Sequence, residues 1–213
     1  MGSIERRERE RQAVRQKILD AARELFAEQG YEAVTMRRIA SAIEYSATAI
    51  YGHFKDKDTL IRELCREDSA SLAQAFRAIA AEPNPLKRLR QIGLAYVEFG
   101  ASHPNHYRLM FMSNRKLDAT DLANMGHGNP EQDGYAFLVG TLAEAIAQQQ
   151  LRPAMDDAHL LAQAFWSACH GVVAIHLCKR GDPWLDWRPL LATAEMVIDT
   201  LIAGAAREDA GHA

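Results

Sequence analysis

Cysteine, proline and aromatic residues are few in this sequence, and it contains no long apolar run that is free of polar side chains. The three cysteines, Cys65, Cys169 and Cys178, are too few and too scattered for a disulfide framework or a paired-cysteine metal site, so a reducing cytosol fits best. The 13 glycines and 7 prolines exclude collagen-like and low-complexity chains. Because 48% of the residues are hydrophobic and 25% are charged, we expect an ordinary folded core.

We expect no targeting or membrane-spanning segment. The first 17 residues are charged and hold no apolar run, which argues against a secretory signal. Residues 158–178 are rich in Leu, Ala, Val and Ile, but they include three histidines, a glutamine and a serine that are costly in hydrocarbon. We therefore predict a helix buried nearly all round in protein, and a cytoplasmic protein with no membrane partner.

Charge is unevenly distributed along the chain. Residues 1–17 carry six basic and three acidic side chains, a net charge of +3, whereas the remainder carries a net charge of −6. We define residues 1–12 as a basic N-terminal arm. Charge alone leaves two interpretations open: the arm follows a phosphate backbone, or it is only the solvated start of a helix.

Apolar residues recur at helical spacing along the whole chain, and no segment shows the alternation of a strand. This pattern predicts an all-α fold of about nine helices. They are expected at about 14–29, 36–42, 47–54, 57–81, 86–101, 105–112, 131–149, 156–180 and 187–206. Residues 113–130 are polar and contain Gly126 and Gly128, so we predict a loop there.

The first three predicted helices have very short connections. Thr35 and Ser46 have side chains suited to cap the second and third helices, and Asp56 has one suited to cap the fourth. Only residues 43–45 separate the second helix from the third. This arrangement predicts a helix-turn-helix, in which the third helix enters the major groove of DNA and the second crosses the backbone.

Residues 35–40, TMRRIA, and residues 46–60, SATAIYGHFKDKDTL, resemble the DNA-binding domain of TetR-family transcriptional regulators. The resemblance spans roughly 13–64, and we assign residues 13–60 to a helix-turn-helix domain. Glu44 stands where the family usually has glycine, and Tyr45 stands where it has a small aliphatic residue.

The resemblance implies two sets of DNA-binding residues. Side chains expected to approach phosphates are Thr35, Ser46, Tyr51, His53 and Lys57, all of which can donate hydrogen bonds. Positions expected to read bases are Arg37, Ala47, Thr48, Ala49 and Gly52. The alternative for these residues is structural, as helix caps, core or ordinary surface. Because a lysine at a helix start opposes the helix dipole, we interpret Lys57 as a ligand of an external anion.

The remaining residues, 61–213, are expected to form a helical regulatory and dimerisation domain. One helix-turn-helix reads only a few base pairs, so we expect a homodimer on palindromic operator DNA. The predicted helices at 156–180 and 187–206 have long apolar faces that fit a four-helix interface, and Gly171 would permit close approach.

A second resemblance concerns a C-terminal TetR subgroup with a Trp-x-x-x-His-Gly signature. Residues 166–171, WSACHG, resemble that signature, and residues 103–111, HPNHYRLMF, resemble its accompanying segment. The implied effector site is lined by Tyr96, Phe99, Tyr107, Met110, Phe111, Trp166 and His170. Plain core packing is the alternative for most of these, while Trp166 and His170 require polar partners that either a ligand or the protein could supply.

These observations predict a homodimeric repressor that a small-molecule effector releases from its operator. One alternative is a metal or redox sensor on the same DNA-binding frame, using His103, His106 and the cysteines and histidines of 169–178. An enzyme is a second alternative, but the sequence contains no GxSxG, HExxH, P-loop or dinucleotide-binding glycine motif. We expect no catalytic residues, no cofactor and no metal, and the effector is not identified.

Overall fold

The computed structural model describes residues 2–113, 118–124 and 126–207, and this part of the chain contains ten α-helices. They are Ser3–Gln29 (α1), Met36–Ala42 (α2), Ala47–Tyr51 (α3), Lys57–Arg77 (α4), Pro85–Ser102 (α5), Pro104–Phe111 (α6), Ala119–Asn124 (α7), Gly134–Ala147 (α8), Ala158–Lys179 (α9) and Leu190–Ala205 (α10). The only β contact in the described part is one isolated antiparallel bridge between Leu151 and Ala206. The all-α prediction is confirmed.

The predicted caps of the early helices are confirmed. The Thr35 hydroxyl accepts a hydrogen bond from the backbone N–H of Arg38 at 3.2 Å, and Ser46 caps α3 in the same way through Ala49 at 3.2 Å. The Asp56 carboxylate accepts from the backbone N–H of Thr59 at 2.7 Å. Each side chain satisfies an N–H group that has no partner within its own helix.

Helix α1 is much longer than the sequence pattern predicts. It begins at Ser3, so the described residues of the basic arm are helical and continuous with the rest of α1. The apolar periodicity starts only at Val14, because residues 4–13 are all exposed and bury nothing. A pattern based on burial therefore carries no signal for this stretch.

Residues 113–130 are not entirely a loop, because α7 lies within them. Its start is held by two aspartates: Asp121 N–H donates to the Asp118 carboxylate at 2.8 Å, and Asp118 N–H donates to the Asp121 carboxylate at 3.0 Å. Arg62 of α4 donates to Asp121 at 3.0 Å and anchors the helix. The loop prediction is wrong here because reciprocal capping by two aspartates outweighs the polar composition. Residues 114–117 and 125 lie outside the described residues.

The described residues form two compact units. Those up to Asp68, together with those of 105–124, form the first unit, and those of 69–104 and from 126 onward form the second. Ile18, Ile39 and Ile50 are fully buried in the first unit and bring α1, α2 and α3 together. In the second unit α5, α9 and α10 meet at Gly93, where an added Cβ would lie 2.7 Å from Ile198 and 2.9 Å from Phe165.

The described part holds one helix, α9, long and apolar enough to span a membrane by length and composition. Only 22% of its apolar window is buried within the chain. Its buried residues, Ala162, Phe165, Cys169 and Val173, form a single face. The prediction that this helix is buried nearly all round is therefore wrong for the single chain. Packing in the second unit covers one side of α9, and an apolar opposite side stays exposed.

Glu44 closes the turn between α2 and α3 in a left-handed conformation. Its φ of 59° lies in a region that costs a residue with a Cβ about 1–2 kcal/mol and that glycine adopts freely. The backbone N–H of Tyr45 then donates to the carbonyl of Ala40 at 2.9 Å, which fixes the turn. Glu44 thus occupies the conformation that a glycine would adopt more easily.

Glu44→Gly is expected to raise the free energy of unfolding of the first unit by about 0.5–1 kcal/mol, because the strain that it removes exceeds the extra conformational entropy that glycine loses on folding. Thermal or urea unfolding measures the gain. Glu44→Ala is the matched control, since it removes the same carboxylate but keeps a Cβ. An equal gain from both variants would show that charge, and not backbone strain, is responsible.

Candidate nucleic-acid interface

The outward face of the helix-turn-helix carries the predicted DNA-binding residues. Ile50 of α3 points into the core and is fully buried, which leaves the rest of this short helix facing outward. Of the predicted set, the exposed residues are Thr35, Arg37, Ser46, Thr48, Tyr51 and Gly52. The half-buried ones are Ala47, Ala49, His53 and Lys57. Small side chains at 47 and 49 leave Thr48 as the projecting polar group of α3.

Helix α3 ends at Tyr51, three residues before its predicted end. The Gly52 N–H is shared between the carbonyls of Thr48 and Ala49, both at 3.2 Å, and the His53 N–H donates to Ile50, three residues back, at 2.9 Å, so the helix tightens as it ends. This turn carries Phe54 into the core, where it is 1% exposed. The α-helical segment that could enter a DNA groove is therefore only five residues long.

His53 lies at the edge of this face in a neutral form. Burial, followed by the charges of Arg11 and Arg15, lowers the pKa of His53 below its ordinary value of 6.5. Its Nδ1 atom is buried and has no hydrogen-bond partner in the described part of the chain. The lowered pKa favours the neutral ring, in which one nitrogen donates and the other accepts a hydrogen bond.

Lys57 has partners inside the first unit, which sequence reasoning did not anticipate. Its Nζ donates to the backbone carbonyls of Tyr31 at 2.9 Å and Val34 at 3.1 Å, and it lies 4.0 Å from the centre of the Tyr31 ring. These contacts offset the unfavourable position of a cation at a helix start. An external anion is therefore not needed to explain a lysine at this position, and the phosphate contact of Lys57 stays a prediction.

Three members of the predicted effector site meet in the second unit. The Trp166 indole N–H donates to the Tyr96 hydroxyl at 2.9 Å, and that hydroxyl lies 3.4 Å from His170 Nδ1. Burial lowers the pKa of His170. Since Tyr96 supplies the polar partner that Trp166 and His170 need, a ligand is not required to satisfy them. Tyr135 extends this cluster, with its ring centre 6.3 Å from that of Trp166.

The other predicted effector residues are divided between the units. Phe99, in the second unit, is 5% exposed and stacks on His103 with ring centres 5.0 Å apart. Tyr107, Met110 and Phe111 lie in the first unit, where the fully buried Tyr107 packs on Phe111 at 5.1 Å. A surface depression of about 270 Å³ is lined by none of the predicted residues; it lies among Ile146, Gln149, Leu151, Arg152, Pro153, Met155, Asp156 and Arg207.

The side chains suggested for a metal or redox sensor do not converge. Within residues 2–113, 118–124 and 126–207, no three His, Cys, Asp or Glu side chains are grouped to hold a metal ion. Burial raises the pKa of the Cys169 thiol to about 12, so this thiol stays protonated at neutral pH and is a poor nucleophile. Cys65 is also buried, and Cys178 is exposed.

The fold and the outward face of α3 define a helix-turn-helix protein with a separate helical unit. Two family models match the chain: bacterial regulatory proteins of the tetR family over residues 18–64, and the tetracyclin repressor-like C-terminal domain over residues 89–201. The second match alone covers more than half of the 213 residues. The chain belongs to the TetR family.

Individual relatives agree with this assignment. The transcriptional repressor AcnR of Corynebacterium glutamicum is 50% identical over 60 residues, which cover 28% of this chain and 32% of that protein. The repressor KstR2 of Mycolicibacterium smegmatis is 27% identical over 146 residues, 67% of this chain and 69% of that one. The chain spans about a third of the length of the first curated relatives that it matches.

Solved structures share the fold. The ketosteroid transcriptional regulator KstR2 of Mycobacterium tuberculosis superposes with a TM-score of 0.68 and 23% identity, covering 91% of this chain and 95% of that one. A tetR-family regulatory protein from Rhodococcus RHA1 gives a TM-score of 0.73 at 21% identity, with 92% and 98% covered. The fold therefore extends over both units, while sequence similarity is highest in the DNA-binding part.

Proposed function

We propose that this protein is a cytoplasmic, homodimeric transcriptional repressor that binds palindromic operator DNA and is released by a small-molecule effector. The observation that carries the proposal is the exposed face of α3, capped by Ser46 and backed by the fully buried Ile50, within a TetR-family chain. A short helix presented in this way fits the major groove of B-DNA.

The proposed DNA contacts separate into positioning and reading groups. Thr35, Ser46, Tyr51, His53 and Lys57 approach phosphates and set the register on the duplex. Arg37 and Thr48 read bases through hydrogen bonds, while Ala47, Ala49 and Gly52 contribute contacts to thymine methyl groups or close approach. Because only two of these side chains can hydrogen-bond to base edges, sequence preference would be concentrated at few base pairs.

The proposed dimer interface uses the exposed sides of α9 and α10. Exposed or half-buried residues recur on α9 at heptad-like spacing, namely Leu160, Ala164, Ser167, Gly171, Ile175 and Cys178. On α10, Leu191 is 52% exposed and Met196 is 70% exposed. Apolar stripes on two adjacent antiparallel helices fit a four-helix bundle with the same helices of a second copy.

The proposed effector site is centred on the cluster of Tyr96, Trp166 and His170. Trp166, His170 and Gly171 form the Trp-x-x-x-His-Gly signature, and we assign the chain to that subgroup. A ligand that inserts here would compete for the hydrogen bonds that Trp166 and His170 make to Tyr96. Helix α4 has residues in both units. Effector binding would therefore act through α4 to alter the spacing of the two helix-turn-helix units of the dimer.

Selection of bound duplexes from a random DNA pool tests the proposed function. The expected product is a palindromic motif with half-site centres about 34 Å apart, one helical turn of DNA. A pool that shows no enrichment at any salt concentration would overturn the proposal. A motif without two-fold symmetry would overturn the dimeric part alone.

Arg37→Ala is expected to relax sequence preference at one base pair of each half-site, with a loss of about 1–3 kcal/mol in discrimination. The effect is measured as the affinity for a series of duplexes, each with one single-base substitution in the motif. Arg38→Ala is the matched control, because Arg38 is the neighbouring exposed arginine on the same helix. Equal loss on all duplexes for Arg37→Ala would show that Arg37 contacts the phosphate backbone instead.

A further inference from the structure

The arm of α1 has one face on which arginines recur every fourth residue. Arg7, Arg11 and Arg15, which we call the arm stripe, lie within about 80° of one another around the helix and span about 12 Å along its axis. Arg7 and Arg11 are exposed, and neither has an ion pair in the described part of the chain. Two full positive charges are therefore available on this face.

The inner end of the arm stripe is fixed beside the helix-turn-helix. The Arg15 guanidinium lies 4.6 Å from the centre of the Phe54 ring, and its Nη2 is 3.1 Å from the Glu63 carboxylate. Both Arg11 and Arg15 act electrostatically on His53, a residue of the proposed phosphate-binding set. The stripe is thus continuous with the edge of the proposed DNA interface.

The opposite face of the arm differs in its charge. Arg6 lies 3.6 Å from the Glu10 carboxylate, and the Nε of Arg9 donates to the backbone carbonyl of Glu5 at 3.4 Å. The first contact pairs the Arg6 charge with a carboxylate, and the second holds the Arg9 guanidinium against its own helix. Within the described residues, the arm therefore has one face on which Arg7 and Arg11 have no ion pair and an opposite face on which Arg6 and Arg9 both make contacts within their own helix.

A helical stretch that buries no side chain gains nothing from packing, and a single segment of about ten residues is only marginally stable in water. A partner that neutralises the stripe would stabilise the arm. The stripe is about 12 Å long, which is enough to face more than one phosphate of a duplex that carries one phosphate per strand for about every 3.4 Å of its axis.

We propose that the arm stripe binds the phosphate backbone of DNA that flanks each operator half-site, extending the interface beyond the helix-turn-helix. This inference rests on the proposed function, since it requires the helix-turn-helix to bind DNA. The occupant is double-stranded DNA, because the stripe extends the surface that holds the proposed DNA-binding residues. The arm adds affinity without adding base discrimination.

The test compares Arg7→Gln/Arg11→Gln with the matched control Arg6→Gln/Arg9→Gln, both in the full chain on the selected operator duplex. The affinity is measured from about 50 to 200 mM salt. Each lost phosphate contact lowers the log–log salt slope by about 0.9, so the stripe variant is expected to lose about 3.6 in a dimer. The control variant removes the same number of charges from the same helix, and its slope is expected to change far less.

Duplex length provides a second readout. Trimming the base pairs that flank the half-sites is expected to weaken the wild-type protein and to leave the stripe variant unchanged. Equal slopes for the two double variants, or equal sensitivity to trimming, would overturn the arm contact while leaving operator binding in place. If the wild-type protein binds no duplex, both the arm contact and the proposed function are overturned.

Discussion

Gly171→Glu is expected to convert the dimer to monomers and to weaken operator binding by about 100- to 10,000-fold. Two helix-turn-helix units linked in a dimer bind the operator more tightly than one, because binding of the first raises the effective concentration of the second. A monomer loses that gain entirely. Sedimentation or light scattering measures the mass, and titration of the operator duplex measures the affinity. The expected result is a 23.7 kDa monomer that still folds.

The large effect follows from the position of Gly171. It lies in the exposed stripe of α9, and an added Cβ there would meet no atom of its own chain within 4 Å. A side chain can therefore start at this half-buried position without a clash at its Cβ in the monomer. In the proposed interface, however, each copy would bury a carboxylate without a counter-charge in a closely packed apolar contact, where its desolvation is costly.

Gly140→Glu is the matched control. Gly140 is an exposed glycine inside α8, and its Cβ would also meet nothing within 4 Å. Both substitutions replace a helical glycine by a better helix former and add one negative charge, so both are expected to stabilise their own helix. A dimer that survives Gly171→Glu, or one that Gly140→Glu disrupts equally, would place the interface elsewhere on the molecule.

The parts of the fold that depend on local chemistry were predictable from the sequence. Thr35, Ser46 and Asp56 cap their helices as predicted, because a cap involves neighbours only two or three residues away. The helix-turn-helix followed from these caps and from apolar spacing. The similar hydropathy on all sides of α9 predicted burial on all sides. Within a single chain only one side is buried, and the other is covered only in the proposed dimer.

Contacts between distant residues were not predictable. The partners of Lys57 are backbone carbonyls more than 20 residues away, and carbonyls have no sequence signature. Tyr96 lies 70 residues before Trp166. Helical periodicity describes one helix at a time, so it could not predict that Tyr96 is the hydrogen-bond partner of both Trp166 and His170. Such pairs require the packing of separate helices, which periodicity does not specify.

A buried ionic cluster in the first unit is the largest of these unpredicted features. Asp68 of α4 is fully buried, and Arg23 of α1 is 6% exposed. The Arg23 Nε donates to Asp68 Oδ1 at 3.1 Å, Arg23 Nη2 lies 3.0 Å from that oxygen, and His106 Nδ1 of α6 lies 2.7 Å from it. One carboxylate thus joins α1, α4 and α6.

Asp68→Ala is expected to destabilise the first unit by about 3–5 kcal/mol, because it leaves the buried guanidinium of Arg23 without its main counter-charge. Hydrogen exchange measures the loss as faster exchange in peptides of α1 and the first half of α4, while peptides of α10 serve as an internal reference in the second unit. Asp20→Ala is the matched control. Asp20 contacts the same guanidinium at 3.0 Å, but its side chain is 60% exposed, so the expected cost is below about 1 kcal/mol.

Comparing the stability losses of Asp68→Ala and Asp20→Ala separates the effect of burying the ion pair from the effect of forming it. Water can solvate the guanidinium when Asp20 is removed, because Asp20 is exposed, whereas Asp68 is fully buried and its removal leaves the guanidinium without a counter-charge in the interior. Similar exchange rates for the two variants would show that the cluster is solvated and that packing alone holds α1 against α4. A large loss for Asp68→Ala only, repaired in part by Arg23→Met in the same chain, would show that the stranded charge is the cause.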